Sequence, residues 1–447
     1  MAHPNHRFLT GGESARPRPR AAPDQPLARE WDDAVTGRGL HMAFQNVVSL
    51  PGGRPIGVEA LARWGSGVQP EAVFARATAS GHLWLLDRLC IKAAIKGALA
   101  GGLSDGSALF INCEATTPYV GLADDDLVGQ AMDRFRLIFE LTERSLAAHP
   151  AALLQKVAAL RSDGFGIALD DVGAQPDSLA LLDVVAPDVI KLDLALVQSQ
   201  PRYHQARTWA SVLAHHEHAG ATVCAEGIET GEHLHRAMAL GASLGQGYLF
   251  GRPGPLNADV LGSSHSAVQL SRRERRTGQA SPFDTVADSV PTRVERKDTV
   301  LALARYIEGQ AAAAPDPPIV LAAVQRAEFF EGETRDRYHH MAASSPLVVV
   351  YGSDLQGDLG HGVRGARISP TDPLIDQWIV LTLGANTAAA FVAREVGDAV
   401  ANGFRDGDRR FEVALTNDRA LITSVAHSLL TRVIPNGRPM GGPLACA

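Results

Sequence analysis

The sequence predicts an α/β protein: a (β/α)8 TIM-like barrel with an antiparallel first strand, followed by a smaller α/β domain. Three observations carry this expectation. Eight short apolar runs recur between stretches of helical spacing: HMAFQNVVSL, IGVEALARW, ALFINCEA, RLIFELTE, GIALDD, VIKLDL, ATVCAEG and SLGQGYLF. The turn PGGRP joins the first two as a hairpin, which makes that pair antiparallel. Most of the runs end in a charged or amide residue, and parallel α/β proteins present chemistry at the carboxyl ends of their strands.

At 447 residues the chain is too long for one ordinary domain. Residues 1–28, rich in Pro, Arg and Gly without periodicity, read as a disordered tail. The barrel is expected over 29–258, with helices at EAVFARATASG and HLWLLDRLCIKAAIKGALAGG after the hairpin. A polar linker is expected over 259–284, the second domain over 285–434 and a flexible end over 435–447. In the second domain DTVLALARYIEGQ and NDRALITSVAHSLLTRV have helical spacing. IVLAAVQRAEFF, PLVVVYG, QWIVLTLG and AAAFVAREV read as strands. Thr371 to Trp378 and Arg409 to Glu412 are conspicuous polar-aromatic segments for which a structural role is expected.

Composition excludes several classes. Forty-five per cent hydrophobic and 20% charged residues describe a globular protein, and no apolar run reaches the length of a membrane span. The first residues lack the apolar core of a signal peptide, so a cytoplasmic location is expected. Cys90, Cys113, Cys224 and Cys446 show no paired spacing and read as reduced thiols. A net charge of −7 argues against polymeric nucleic acid as a partner, so an anionic substrate needs local cations.

The polar residues on the strands suggest where such cations sit. Glu59, Leu61 and Arg63 share one face of IGVEALARW, with Glu59 and Arg63 roughly 13 Å apart. Asn112 closes an apolar strand, where an amide oxygen suits a hard cation and a strand-end cap equally. Glu140 follows an unbroken apolar run and needs a partner. Asp170 and Asp171 are adjacent carboxylates that repel unless a proton or cation lies between them. Lys191 stands inside an apolar strand, Glu226 ends another, and Gln246 sits between two glycines. These positions fall roughly 20 to 55 residues apart, the spacing of a βα repeat, so a barrel brings them to one mouth. Oxygen donors without His or Cys select Mg²⁺ or Mn²⁺ over zinc, and Asp171 is placed to help hold a second ion.

On VEALARW, FINCEA, FELTE, ALDDVG, DVIKLDLALV, CAEGIET and LGQGYLFGRP the chain resembles the EAL family of cyclic diguanylate phosphodiesterases, from about Ala43 to Pro253. The resemblance implies Mg²⁺- or Mn²⁺-dependent hydrolysis of cyclic di-GMP to linear pGpG. It matches Glu59, Asn112, Glu140, Asp170, Asp171 and Glu226 to metal ligands, Asp171 serving the second ion. Lys191 matches the lysine beside the attacking water. Gln45, Leu61, Arg63 and Gln246 match positions that touch substrate or water, and Glu143 matches the glutamate that steadies the loop after the paired aspartates. A homodimer through the barrel is also implied.

One segment departs from the family. Active members usually read DDFGTGYSSL, whereas this chain runs Asp170-Asp171-Val172-Gly173-Ala174-Gln175-Pro176-Asp177-Ser178-Leu179, with Pro176 stiffening the turn. In the family that loop links metal binding to dimer contacts, so a non-catalytic cyclic di-GMP receptor acting through protein contacts stands as the alternative to the enzyme. In the second domain ARYIE, RYHHMA, VVVYG, DPLIDQWIV, RRFEVALTND and VAHSLL resemble the DICT sensory domain, which implies signal input from a ligand or protein.

Overall fold

The structure, a computed structural model, describes residues 33–65, 68–119, 121–122, 124–142, 148–174, 179, 181–199, 203–256, 280–397, 407 and 409–433. The expected tails lie outside the described residues, as does most of the linker. Strands β1 (Leu40–Ser49), β2 (Arg54–Trp64), β3 (Ala108–Asn112), β4 (Arg136–Thr142), β5 (Gly166–Val172), β6 (Val189–Leu192), β7 (Thr222–Ala225) and β8 (Leu244–Gly245) close a barrel in chain order. β1 runs antiparallel to both neighbours, β2 and β8, and β2 to β8 are parallel.

Strand periodicity sorts the side chains. Val47, Ile56, Ala108, Phe110, Ile138, Ala168, Val189, Cys224 and Leu244 form one buried cluster inside the barrel. Alternate residues such as Val58, Ala60, Leu109, Ile111, Leu137 and Phe139 join a separate core on the outside, against the helices. The register slips between Val47 and Val48, which pair with Gly57 and Pro55. Ile56 is therefore an extra residue in β2, and the bulge turns it inward.

On the outside lie helices α1 (Pro70–Ser80), α2 (Leu83–Ala100), α3 (Asp126–Met132), α4 (Pro150–Ser162), α5 (Leu182–Val185), α6 (Leu194–Gln198), α7 (Tyr203–Ala219) and α8 (Gly231–Ala239). In α2, Leu86, Cys90, Ile91, Ala94, Ile95 and Ala98 recur at helical spacing and are buried. Asp87 is the buried exception, and Lys156 of α4 is its partner.

The second sheet has seven strands in the order β12-β11-β10-β13-β14-β15-β9. They are β9 (Arg293–Arg296), β10 (Ile319–Arg326), β11 (Val348–Ser353), β12 (Val363–Arg367), β13 (Gln377–Leu383), β14 (Ala388–Glu395) and β15 (Arg410–Thr416). β10, β11 and β12 are parallel and the other pairings antiparallel. Helices α9 (Pro282–Ala287), α10 (Lys297–Ala312), α11 (Glu333–Ala342) and α12 (Arg419–Leu430) accompany the sheet. α9 begins inside the segment read as linker. Val320, Ala322 and Val324 of β10 pack with Tyr338 and Met341 of α11. Ile319, Leu321 and Ala323 point the other way, into the core that holds Ile422, Val425, Ala426, Leu429 and Leu430 of α12. That core is continuous with the outside of the barrel, and α12 also touches α4 and α5.

The two conspicuous segments of this domain make internal contacts. Asp372 caps the turn at Pro373–Asp376 through Leu374 N at 2.9 Å and pairs with Arg432 at 3.1 Å. Arg409 makes a two-pronged bond to Glu395 at 2.8 and 2.6 Å and donates to Gln325 Oε1 at 2.7 Å. Among the described residues no helix is long and apolar enough to cross a membrane.

Candidate active site

One step along each strand beyond the apolar interior, the inward residues become polar. Asn112 follows Phe110, Glu140 follows Ile138, Asp170 follows Ala168, Lys191 follows Val189, Glu226 follows Cys224 and Gln246 follows Leu244. Gln45 and Glu59 pair across the β1–β2 ladder at the same level. The residues expected at one mouth are brought together there.

Lys191 is the centre. Its side chain is 1% exposed, and Nζ lies 2.7 Å from Glu226 Oε1, 2.8 Å from Glu140 Oε1, 3.1 Å from Asp170 Oδ1 and 3.3 Å from Glu59 Oε2. Burial alone would lower the lysine pKa, but Asp170, Glu140, Glu226 and Glu59 together push it well above its ordinary value. Lys191 is therefore an ammonium ion at neutral pH.

One positive charge is shared unequally among the carboxylates. Burial acts to raise the pKa of Glu59, but Lys191 and the amide bonds below hold it down. Glu59 Oε1 accepts from Asn112 Nδ2 at 3.0 Å, and Oε2 accepts from Gln246 Nε2 at 2.6 Å. Glu140 has no such amide donor. Its Oε1 lies 2.8 Å from Nζ, and both of its oxygens are buried. Burial and then the charge of Glu59 push Glu140 well above the carboxylate range. Burial likewise pushes Glu226 up to about 8, against the pull of Lys191.

Asp171 departs from strand alternation, which would aim it away from Asp170. It adopts φ +58°, in the left-handed region that few residues other than Gly, Asn and Asp adopt. The β5–β6 register slips at the same place, between Leu169 and Val172. This bulge brings carboxylate oxygens of Asp170, Asp171 and Glu226 within 4.8 Å of one another. Ligands on opposite sides of a cation held at about 2.0–2.6 Å are at most about 5 Å apart, so these oxygens fit a hard divalent ion. The surplus of carboxylates around one ammonium fits it as well.

The remaining candidates frame the mouth. Gln246 Nε2 also donates to Gln45 Oε1 at 3.0 Å, and Gln45 Nε2 to Gly251 O at 3.3 Å. Gln246 Oε1 is buried without a partner among the described residues. Leu61 and Arg63 sit beyond the last β2–β3 pair, where β2 continues against β1 alone. They stand on a ribbon above the mouth, with Arg63 Nη1 bonded to Ala62 O at 2.8 Å. Glu143 lies outside the described residues, as do Gln175 to Ser178 of the divergent loop. Gly247 permits the close approach of two site loops, since a Cβ there would lie 2.1 Å from Ile228 O.

One further buried network lies beside the site. Asp87 accepts from Glu114 N at 3.0 Å and Thr117 Oγ1 at 2.6 Å, and Lys156 Nζ donates to Glu114 O and to Thr117 Oγ1. It clamps the loop that follows Asn112. Its trace in the sequence is one charge in each of two otherwise apolar helix faces, at Asp87 and Lys156.

Fold and mouth together define an α/β barrel with an antiparallel first strand and a lysine-centred cage of carboxylates. The chain belongs to the EAL domain family, whose model matches residues 28–253. Residues 283–396 match the DICT model, described as a sensory domain in diguanylate cyclases and two-component systems. The cyclic di-GMP phosphodiesterase RocR of Pseudomonas aeruginosa is 34% identical over 228 residues, 47% of this chain and 57% of RocR. The probable cyclic di-GMP phosphodiesterase PdeB of Escherichia coli is 27% identical over 50% of this chain and 44% of PdeB. The chain thus spans about half the length of these relatives. A solved structure described as the PaMucR phosphodiesterase in complex with c-di-GMP aligns at 26% identity, over 49% of this chain and 98% of that one, with a TM-score of 0.43.

Proposed function

We propose that the barrel hydrolyses cyclic di-GMP to linear pGpG with Mg²⁺ or Mn²⁺, two ions in all, in cytoplasmic second-messenger signalling. The DICT domain regulates it through a ligand or protein that it binds. The observation that carries this reading is the β5 bulge, which sets Asp171 beside Asp170 and Glu226 next to a buried ammonium. The names of RocR and PdeB support the substrate.

In the reaction a water oxygen bonds to phosphorus and the bond from phosphorus to the 3′ oxygen breaks. One water proton ends on that leaving oxygen and the other is lost to solvent. Divalent ions at this site supply Lewis-acid activation of water and charge stabilisation on the phosphate. Glu59, Asn112, Glu140, Asp170, Asp171 and Glu226 hold them. Lys191 sits beside the attacking water, where it orients that water, offsets negative charge or moves a proton. Gln45, Leu61, Arg63 and Gln246 contact the substrate, and Glu143 steadies the loop after β5. Gln246 and Asn112 act first by fixing the rotamer of Glu59.

A second reading has its own observation. The family's Phe and flexible Gly-Tyr segment are replaced by Val172 and a sequence that contains Pro176, which favours a receptor that binds cyclic di-GMP without turnover. Chromatography of the full chain incubated with cyclic di-GMP and Mn²⁺ separates the two. Appearance of pGpG, lost in Glu59→Gln and Asp170→Asn, is expected. Tight binding with no pGpG would replace the enzyme by the receptor.

A further inference from the structure

The C-terminal domain reaches the barrel at the segment that joins two strands of the mouth. β5 carries Asp170 and Asp171, β6 carries Lys191, and α5 lies between them. Arg419, the first residue of α12, donates Nε to Asp183 Oδ2 on α5 and Nη2 to Gly384 O at 2.8 Å. Asp183 Oδ1 bonds His215 Nδ1 on α7. Burial alone would raise the Asp183 pKa, but His215 and Arg419 hold it below its usual value, so the carboxylate is charged at neutral pH.

The same segment is tied to the barrel from behind. Arg161 of α4 donates to the carbonyls of Val185 and Ala186 at the end of α5. Asp188 accepts from Ile167 N of β5 at 2.9 Å, and its own N–H donates to Ile167 O at 2.8 Å. Leu182, Val184 and Val185 are buried. From Asp188 the chain runs directly into β6 and Lys191.

We propose that Arg419 is a positioning residue for the mouth: by gripping Asp183 it lets the C-terminal domain fix the β5–β6 connection, and with it the spacing of Asp170, Asp171 and Lys191. The proposal rests on the cation-binding reading of that mouth, and its warrant is that Arg419, Arg161 and the Asp188–Ile167 bonds all hold the short segment that runs from α5 into β6. Arg419 touches neither substrate nor reacting atoms. It acts through α5.

The test uses the full chain with Arg419→Ala and Arg419→Lys, and two readouts taken without substrate. Amide hydrogen exchange follows residues 182–192 against the β1–β2 hairpin, and calorimetry measures Mn²⁺ affinity. Arg419→Ala is expected to speed exchange at 182–192 with the hairpin unchanged, and to weaken Mn²⁺ binding roughly tenfold, as loss of a group that orients a ligand does. Arg419→Lys should fall between the two. Unchanged exchange and affinity in Arg419→Ala would overturn the proposal. So would acceleration spread equally over the hairpin, which marks a general packing role. Wild-type protein that binds no Mn²⁺ would sink the cation reading instead, and exchange at 182–192 would still decide whether Arg419 holds that segment.

Discussion

At the scale of residues, the site depends on a mismatch between charges. Lys191 is one ammonium facing Glu59, Glu140, Asp170 and Glu226. Replacing it by Met removes the only buried cation among these contacts, and turnover of cyclic di-GMP should fall on the order of 10²-fold or more. An unchanged rate in Lys191→Met would show that the lysine merely fills space. Asp171→Asn tests the second ion more gently, because Asn tolerates the same left-handed backbone. Circular dichroism should be unchanged while Mn²⁺ affinity drops; equal affinity would remove Asp171 from the ligand set. The polar residues themselves were legible, since each ends an apolar strand and has no local reason to be there. The direction of Asp171 was not, because alternation aims it outward and only the bulge reverses it.

At the scale of elements, the eight barrel strands could be read because each is a compact apolar run with a polar end. β9, β12 and β15 carry no strand signal that the sequence reading used, and the start of β15 stands out only as the polar-aromatic run Arg409 to Glu412. β9 is exposed at the sheet edge as RVER, and β12 as VRGAR carries too little apolar pattern to announce a strand. Packing of helices against the barrel was equally hidden, and with it the Asp87–Lys156 clamp on the loop after Asn112. Removing one member of such a buried pair leaves the other uncompensated. Lys156→Ala should therefore cost about 3–5 kcal/mol in denaturant unfolding. A loss below about 1 kcal/mol, the value of an exposed pair, would mean that the clamp is not closed in solution.

At the scale of the whole molecule, the order of two α/β units was legible and their docking was not. No periodicity shows that α12 packs between its own sheet and the barrel helices α4 and α5. Because those elements share one core, a chain ending near Pro255 should uncover apolar surface, bind a hydrophobic dye and melt at lower temperature than the full protein. Equal melting temperatures and no dye binding would show that the two units are independent. The central claim is that the carboxylate cage works with a divalent cation on a cyclic dinucleotide. Its most direct measurement is the rate of pGpG formation by the full chain, first stripped with chelator and then titrated with Mn²⁺. The stripped protein should form no product, and the rate should rise saturably with added Mn²⁺. Product formed at the same rate with and without the ion, or none at any Mn²⁺ concentration, would contradict it.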